Sequence, residues 1–441
     1  MNKDSLPPRT TPYYAKYQRD IFLRGSEQGE FPAFNTDPDE MEKSAKESLS
    51  KGGWLYASSN AGVSWTHRAN REAFYQWKIV PRMLVNTSDS LRDMSCTLTL
   101  GTQTFHFDAP IGFAPIGINK IYHPLGELNS ATVAGELNLP YALSTAGSQP
   151  IAKVAEANDE GARRRGEEGE ENEGREKGRG ARFFQLYWPH DDDLTISLLQ
   201  QAVENGFDCC ILTVDTPQLA WRHGDVASAN YAFYKGIGQD LGAANPVFVQ
   251  RCKERGITDL SSPAAGQFWI DNVWHGKPWG WEQLPWVIEQ WKRLSGGKPF
   301  VIKGIQSVAD AKRAADTPGV DGIVVSNHAG RQVDGAIASL DALDGIVRAG
   351  VGEKLTVMFD SGVRSGADVA KAIALGAKLV FVGRPYVYGM SINGEAGVRH
   401  VMTSLLAEFD LLLNTAGFRS LKDITRDCLV HKPEAGLGAK L

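Results

Sequence analysis

The chain has 441 residues, of which 42% are hydrophobic and 22% are charged, so it can form one large α/β domain with additions or two smaller domains, and a mainly disordered chain is excluded. Lysine and arginine total 47 against 52 acidic residues, a formal net charge of −5, which leaves no basic surplus for nucleic acid or an anionic membrane. The 5 cysteines are scattered without a CxxC pair, which predicts neither a disulfide framework nor a metal centre.

The first 100 residues are predicted to form an N-terminal extension and cap, because no apolar run there is long enough for a second core. They include a helical stretch near 38–52, followed by 54-WLYASSNAG, which has the composition of a loop. The opening residues MNKDSLPPRT lack the apolar core of a signal peptide, and no stretch approaches the roughly 18 apolar residues of a membrane span. The sequence therefore predicts a soluble, intracellular protein with no membrane partner.

Eight short apolar runs between residues 109 and 385 are predicted as buried parallel strands. Segments with helical spacing separate them, and two, 307-SVADAKRAADTPG and 365-SGADVAKAIALGA, open with serine and end near glycine, as capped helices do. The repeated βα unit predicts a (β/α)₈ barrel over 101–425, with an open doubly wound sheet as the alternative. The runs are 109-APIGFAPIG, 141-YALSTAG, 182-RFFQLY, 209-CCILTVD, 299-PFVIKGI, 322-GIVVSNH, 355-LTVMFDSG and 378-KLVFVGRP.

Two long segments interrupt this pattern, and a tail at 426–441 follows it. The stretch 158–181 is low in complexity and nearly charge-balanced, which predicts a disordered loop, with a partner-binding segment as the alternative. The link between the fourth and fifth strands, with a segment at 223–298, is much longer than a crossover needs. Its tryptophans predict either a lid over a pocket or a satellite core on the barrel wall. They are Trp269, Trp274, Trp279, Trp281 and Trp286.

In a barrel of this type, reactive groups lie at the C-terminal ends of the strands. The seventh and eighth runs end in 360-DSGVRSG and 383-GRP, where glycine allows close backbone approach and Arg364 and Arg384 supply guanidinium groups. Their position after these two strands predicts a phosphate cradle. Because no Walker pattern is present, a phosphorylated substrate or a mononucleotide is favoured over a nucleoside triphosphate.

Polar side chains also follow several other strands. The sixth run ends at His328, which can accept a proton, and Arg331 follows in a glycine-containing loop, where it can hold a carboxylate through paired hydrogen bonds. Lys303 lies near the end of the fifth run, Arg222 follows the fourth and Tyr187 closes the third. Because cations from several strands meet at one mouth of an acidic protein, they predict an anionic, carboxylate-bearing ligand.

Taken together, 326-SNHAGRQVD, FDSGVRSGADV and VGRP resemble the FMN-dependent L-2-hydroxy acid oxidase and dehydrogenase family, over about residues 50–425. The segments 80-VPRML, 113-FAPIGI, 244-ANPVF and 300-FVIKGIQ are most similar to the lactate 2-monooxygenase branch. The resemblance implies a TIM barrel with FMN as cofactor, which oxidises a 2-hydroxy acid to a 2-oxo acid with dioxygen as acceptor. It also implies a homo-oligomer, a tetramer in many relatives.

The resemblance implies a role for each matching position. His328 would be the base, Lys303 would stabilise the negative charge of the reduced flavin, and Tyr187 would be the third catalytic residue. The substrate would be bound by Tyr56, Tyr187, Arg222 and Arg331. The cofactor would be held by Pro115, Ile116, Gly117, Ser144, Gln185, Thr213, Lys303, Ser326, Asp360, Gly362, Arg364, Gly383 and Arg384.

The chain departs from the family pattern near the expected substrate. The turn after Tyr56 reads 57-ASSN where relatives have a glycine-rich turn, and 63-VSW replaces an acidic pair. Ala146 stands where glycolate oxidase-like members carry a bulky aromatic residue, which predicts room for a lactate-like or longer side chain. The alternatives to an oxidase are an enzyme that also decarboxylates its product, a dehydrogenase with another electron acceptor, and an FMN-binding barrel with little turnover.

The chain ends in Ala439, Lys440 and Leu441, a close variant of the peroxisomal Ser-Lys-Leu signal. Since an oxidase of this family would produce peroxide, the predicted location is the peroxisome, with the cytoplasm as the alternative.

Overall fold

The computed structural model describes residues 13–88, 92–168, 178–273 and 275–432. No helix within these ranges is both long enough and apolar enough to cross a bilayer. The helices are α1 (Tyr13–Gln28), α2 (Pro38–Ser48), α3 (Lys51–Ser58), α4 (Trp65–Gln76), α5 (Glu127–Glu136), α6 (Ile151–Glu168), α7 (Asp192–Glu204), α8 (His223–Ala227), α9 (Asp240–Ala243), α10 (Pro246–Glu254), α11 (Pro263–Val273), α12 (Leu284–Ser295), α13 (Val308–Ala315), α14 (Ser339–Arg348), α15 (Gly366–Ala374) and α16 (Arg384–Ala416). The strands are β1 (Trp77–Ile79), β2 (Cys96–Leu100), β3 (Gln103–Phe107), β4 (Ile111–Phe113), β5 (Tyr141–Ser144), β6 (Arg182–Leu186), β7 (Cys209–Thr213), β8 (Phe300–Ile305), β9 (Gly322–Val325), β10 (Thr356–Phe359), β11 (Val380–Val382) and β12 (Leu429–His431).

Strands β4 to β11 close into a parallel barrel, in which each strand pairs with the next along the chain and β11 pairs with β4. These strands are the eight predicted runs, so the (β/α)₈ barrel is confirmed and the open sheet is excluded. The runs are almost continuously apolar because both faces of a barrel strand are covered. The predicted serine caps are confirmed too, since Ser307 and Ser365 accept hydrogen bonds from the Asp310 and Asp368 amides at 3.0 and 3.2 Å.

The antiparallel hairpin of β2 and β3 covers the N-terminal end of the barrel. Leu98 and Phe107 point inward from the hairpin and share one buried cluster with Phe183 and Met358 of the barrel strands. Thr356, at the start of β10, donates a hydrogen bond to the Thr99 carbonyl at 2.5 Å. This end of the barrel is therefore filled by side chains, and open space remains at the opposite end.

The cap over the C-terminal end differs from the sequence prediction in two respects. The helical stretch near 38–52 is two helices, because the Ser50 side chain accepts a hydrogen bond from the Gly53 amide and begins α3 there. Residues 54–58, predicted as a loop, are helical, so that prediction is wrong, and Tyr56 is carried on a helix. Asn70 of α4 and Asn327 after β9 exchange two side-chain hydrogen bonds of 2.8 and 2.7 Å, which attach the cap to the barrel.

The predicted disordered loop at 158–181 is wrong for residues 158–168, which extend α6. Asn158 is buried and donates a hydrogen bond to the Ala131 carbonyl of α5 at 2.9 Å. Gly161 lies against the Thr132 carbonyl with no room for a Cβ atom. A polar, glycine-containing sequence forms a helix here because it packs closely against α5. Residues 169–177 of the same stretch lie outside the described residues.

The link between β7 and β8 contains helices α8 to α12, and α12 packs against α7 and β8 as the outer helix of the fourth βα unit. Trp269 is fully buried, while Trp279 and Trp286 stack on Trp188 with ring centroids 4.1 and 5.8 Å apart. Trp274 lies outside the described residues. The described tryptophans of the link pack on the barrel core, as the satellite-core interpretation predicts. A lid role for 223–298 stays a prediction.

Candidate active site

A cavity opens at the C-terminal ends of the strands, beneath the cap. Most of the predicted site residues line it: Tyr56, Pro115, Ile116, Gly117, Tyr187, Arg222, Lys303, His328, Arg331, Asp360, Gly362, Arg364, Gly383 and Arg384. The other predicted residues, Ser144, Gln185, Thr213 and Ser326, are buried on or directly after the same strands. The structure therefore brings the predicted residues together at one end of the barrel.

The sequence analysis missed Asp215 as a site residue. Asp215 Oδ1 lies 2.8 Å from His328 Nδ1, and Thr216 Oγ1 lies 3.1 Å from the same nitrogen. These contacts fix the ring and leave Nε2 for a ligand. Burial, together with nearby Lys303, lowers the pKa of His328, although Asp215 opposes this change. The imidazole is therefore held neutral, which is the form that accepts a proton.

Lys303 provides a fixed positive charge on the cavity floor. Its Nζ lies 3.0 Å from Ser326 Oγ, 3.7 Å from Asp215 Oδ2 and 3.5 Å from Asp360 Oδ2. Burial alone would lower the pKa of Lys303, but the two carboxylates raise it above its usual value. In return, Lys303 and His328 hold the pKa of Asp215 below its usual range despite burial. The ammonium therefore stays charged in a site where an unpaired charge would be costly.

A glycine makes this arrangement possible. Gly304, directly after Lys303, has φ +108°, and a Cβ atom there would lie 2.7 Å from the Asp215 Cβ. The pairing of β8 with β9 shifts register at this glycine, between Lys303 and Ile305. A glycine at position 304 therefore leaves room for the Asp215 side chain, which follows β7, beside the backbone of β8.

Two arginines form the anion-binding part of the cavity. Arg222 Nε donates to the Arg331 carbonyl at 3.2 Å, and Arg222 Nη2 donates to Gln332 Oε1 at 3.1 Å. Arg331 Nη1 donates to the Ser59 carbonyl at 2.8 Å, and its guanidinium carbon lies 5.3 Å from the Tyr56 ring centroid. Burial and the neighbouring Arg331 lower the pKa of Arg222. A buried guanidinium beside a second, half-buried one favours a bound carboxylate.

Three tyrosines complete this wall, and burial raises the pKa of each. Tyr56 and Tyr187 are predicted residues. Tyr122 was missed because it lies in a short turn after β4, where nothing in the sequence marks it; its ring centroid is 6.4 Å from that of Tyr56. Ala146 does not line the cavity but lies buried behind Gly117. Because a small side chain that stays behind the wall leaves space in front of it, the expectation that Ala146 makes room for a longer substrate stays a prediction, and Tyr122 bounds the cavity near Tyr56.

The other end of the cavity holds Arg364 and Arg384. Arg384 Nε donates to the Ala57 carbonyl at 3.0 Å, and its Nη2 donates to Asn60 Oδ1 at 2.6 Å. Burial lowers the pKa of Arg384 to about 10 and also lowers that of Arg364. Burial and these two arginines lower the pKa of His67 to about 2. The positive field at this end fits a phosphate group.

Several buried polar atoms indicate what the cavity holds. Within the part of the chain that the structure describes, Gln185 Nε2, Thr213 Oγ1 and Arg364 Nη2 have no hydrogen-bond partner. Ser144 Oγ donates to Gln185 Oε1 at 2.9 Å, which leaves the amide nitrogen free to donate elsewhere. Gly117 has no room for a Cβ atom, which would lie 2.7 Å from the Ala146 Cβ. These donors fit FMN, with the flavin acceptors near Gln185 and Thr213 and the phosphate near Arg364.

Comparisons with known proteins agree with this fit. A family model described as FMN-dependent dehydrogenase matches residues 45–431. An FMN-dependent alpha-hydroxy acid dehydrogenase of Penicillium citrinum is 42% identical over 418 residues, which cover 94% of this chain and 96% of that protein. L-lactate oxidase of Lysinibacillus sphaericus is 35% identical over 412 residues, covering 93% and 96%. A crystal structure of mandelate oxidase has a TM-score of 0.70 at 29% identity and covers 89% of this chain and 97% of its own.

The family model matches most of the barrel and the cap, including every residue that lines the cavity. The relatives cover nearly the whole chain; the Penicillium citrinum protein is named for FMN and alpha-hydroxy acids, and L-lactate is an alpha-hydroxy acid. The chain therefore belongs to the FMN-dependent alpha-hydroxy acid dehydrogenase and oxidase family, with FMN as its cofactor.

Proposed function

We propose that the protein oxidises an L-2-hydroxy acid with a lactate-like or longer side chain to the 2-oxo acid and passes the electrons to dioxygen. One observation carries the proposal: the His328–Asp215 pair and the two arginines Arg222 and Arg331 face the same cavity. A 2-hydroxy acid carries a carboxylate for the arginines and, on the adjacent carbon, a hydroxyl whose proton the histidine can take.

Each side chain has a distinct role in this proposal. Arg222 and Arg331 hold the substrate carboxylate, and Tyr56 and Tyr187 bind the substrate beside the two arginines. His328 Nε2 takes the hydroxyl proton, and Asp215 stabilises the imidazolium that forms. FMN, when bound, supplies the acceptor for the two electrons that leave the substrate C2 atom. The fixed positive charge of Lys303 would stabilise the negative charge of the reduced flavin.

The names of the relatives bear on the electron acceptor. L-lactate oxidase and mandelate oxidase are named as oxidases, which supports dioxygen, whereas the Penicillium citrinum relative is named a dehydrogenase. A closed cavity that retains the 2-oxo acid beside newly formed peroxide would also decarboxylate it. An FMN-binding barrel with little turnover is the remaining alternative.

The test is anaerobic mixing of the FMN-loaded protein with a panel of L-2-hydroxy acids and their D-enantiomers, followed as loss of flavin absorbance at about 450 nm. Bleaching by an L-acid supports the proposal, and a protein that no acid bleaches contradicts it. Aerobic turnover then separates the alternatives. An oxidase yields peroxide and the 2-oxo acid, a monooxygenase yields the acid one carbon shorter, and a dehydrogenase turns over only with an added acceptor.

We also propose a peroxisomal location and a homotetramer. The location depends on 439–441, which lie outside the described residues, and the tetramer depends on the family resemblance. A fluorescent fusion with and without the last three residues tests the location, and light scattering after size exclusion tests the assembly.

A further inference from the structure

A buried carboxylate that the proposed reaction does not use connects the cap to the segment after β7. Asp225 is 6% exposed. Ser59 Oγ donates to its Oδ2 at 2.5 Å, and Asn230 Nδ2 donates to its Oδ1 at 2.9 Å and to the Gly52 carbonyl at 3.0 Å. Within the described ranges Asp225 has no ion-pair partner, so hydrogen bonds from neutral donors hold both oxygens in place.

The turn that Asp225 holds also binds arginines at both ends of the cavity. The Ser59 carbonyl accepts from Arg331 Nη1 at 2.8 Å. The Ala57 carbonyl and Asn60 Oδ1 accept from Arg384 at 3.0 and 2.6 Å. Residues 57–60 therefore fix the guanidinium expected at the substrate carboxylate and the one expected at the FMN phosphate. This is the turn that departs from the family pattern.

The charge of Asp225 also acts on the arginine pair. Burial, together with repulsion from the neighbouring Arg331, lowers the pKa of Arg222. Asp225, one helical turn after Arg222, opposes this shift, because its negative charge favours the charged guanidinium. The carboxylate therefore favours the charged form of Arg222, which is the form that binds a substrate carboxylate.

We propose that Asp225 and Ser59 form a latch that positions Arg331 and Arg384 together, so that substrate binding and FMN binding depend on the same cap turn. Both are positioning residues, since neither lines the cavity. The substrate half rests on the proposed function, because it needs Arg331 to bind the substrate carboxylate. The FMN half does not.

The test uses Ser59→Ala and Asp225→Asn with a matched pair of controls from the same long link. Asp259 accepts a hydrogen bond from Ser261 Oγ at 2.6 Å in an exposed position. Ser261→Ala and Asp259→Asn therefore alter the same kind of serine–carboxylate hydrogen bond away from the cavity. The FMN dissociation constant is measured on the apoprotein by quenching of flavin fluorescence. Binding of L-lactate, or of the acid in the panel that bleaches the flavin fastest, is measured from the concentration dependence of anaerobic bleaching.

We expect each latch variant to raise both dissociation constants about tenfold, the effect of one lost hydrogen bond to a charged group, while the limiting bleaching rate stays within about twofold. The controls should change neither constant. Unchanged constants in Ser59→Ala, whose lost hydroxyl is small enough to leave the fold intact, would overturn the latch. So would a rise in only one of the two constants. If no acid bleaches the wild-type flavin, the proposed function fails, and the FMN constants alone decide the latch.

Discussion

At the scale of single residues, the proposed base has the sharpest test. In His328→Gln the side chain cannot take a proton, whereas Arg222, Arg331 and the FMN-binding residues are unchanged. We therefore expect FMN and substrate to bind as in the wild type and flavin bleaching to slow by about 100-fold or more. Rapid anaerobic mixing measures this rate. His106→Gln is the control, since His106 is exposed on the hairpin at the far end of the barrel. Wild-type bleaching in His328→Gln would contradict the assignment.

The carboxylate beside His328 predicts a pH effect with a defined sign. The base works in its neutral form, so kcat/KM rises with pH through the pKa of His328, which burial already holds below 6.5 and which Asp215 raises. In Asp215→Asn that pKa falls further, so the acid limb of the kcat/KM profile should move to lower pH. The maximum should fall by about 100-fold, because the imidazolium loses its counter-charge. An acid limb that stays in place, or moves to higher pH, would contradict the coupling.

Tyr122 should limit the size of the substrate side chain. Removing its ring enlarges the cavity wall next to Tyr56, so Tyr122→Ala should raise the ratio of kcat/KM for a bulky acid such as L-mandelate over L-lactate by about tenfold. Tyr75→Ala is the control because Tyr75 is 59% exposed, away from the cavity. An unchanged ratio in Tyr122→Ala would show that another residue sets the limit.

The residues that sequence analysis missed fall into two kinds. Asp215 stands at the end of the predicted strand 209-CCILTVD, so its position at the reactive end of a barrel strand was a usable signal. Tyr122 carries no such signal, because only the course of the turn after β4 brings it to Tyr56. The expectation for Ala146 stays a prediction, since this small residue lies behind Gly117 and does not itself contact the cavity. Strand ends can be predicted from periodicity, whereas loop paths depend on tertiary contacts.

At the scale of elements, the cap helix α4 is held to the barrel by a buried amide pair. In Asn70→Ala, both side-chain bonds to Asn327 are lost, together with the bond that the Ser339 amide donates to Asn70 Oδ1 at 3.0 Å. Buried polar groups left without partners should lower the free energy of unfolding by about 2 to 3 kcal/mol, measured by urea denaturation. Asn35→Ala, at an exposed position, should change it by less than about 0.5 kcal/mol. Equal effects of the two substitutions would contradict the role of the pair.

The elements show the same division between local and tertiary information. The barrel strands were predictable because burial on both faces leaves runs of apolar residues that polar helices separate. The helical state of 158–168 was not, because Gly161 and Asn158 have low helix propensity and gain their stability from contact with α5. The same holds for 54–58, whose helix starts at the Ser50 cap and continues through two glycines.

At the scale of the whole molecule, the cavity joins parts of the chain that are far apart in sequence. Tyr56 comes from the cap, Pro115 from the segment after the first barrel strand and Arg384 from the start of α16, after the last strand. A ligand that binds only when these parts are assembled stabilises the entire fold. FMN at 100 times its dissociation constant should therefore stabilise the apoprotein by about 2.7 kcal/mol, measured as a rise in Tm on titration. A Tm independent of FMN concentration would contradict the site.

The contribution of the FMN phosphate to this stabilisation can be separated from that of the flavin ring. Burial lowers the pKa of Arg364 and Arg384, which means that the native state holds two charged groups away from water. An anion that pairs with them offsets this cost and stabilises the native state. Riboflavin has the same ring without the phosphate and should raise Tm less than FMN at equal concentration. In Arg364→Met the advantage of FMN over riboflavin should shrink, whereas in Arg293→Met, on the barrel exterior, it should persist. Because the ring contacts are common to both ligands, equal shifts for FMN and riboflavin in the wild type would mean that the arginines do not bind the phosphate.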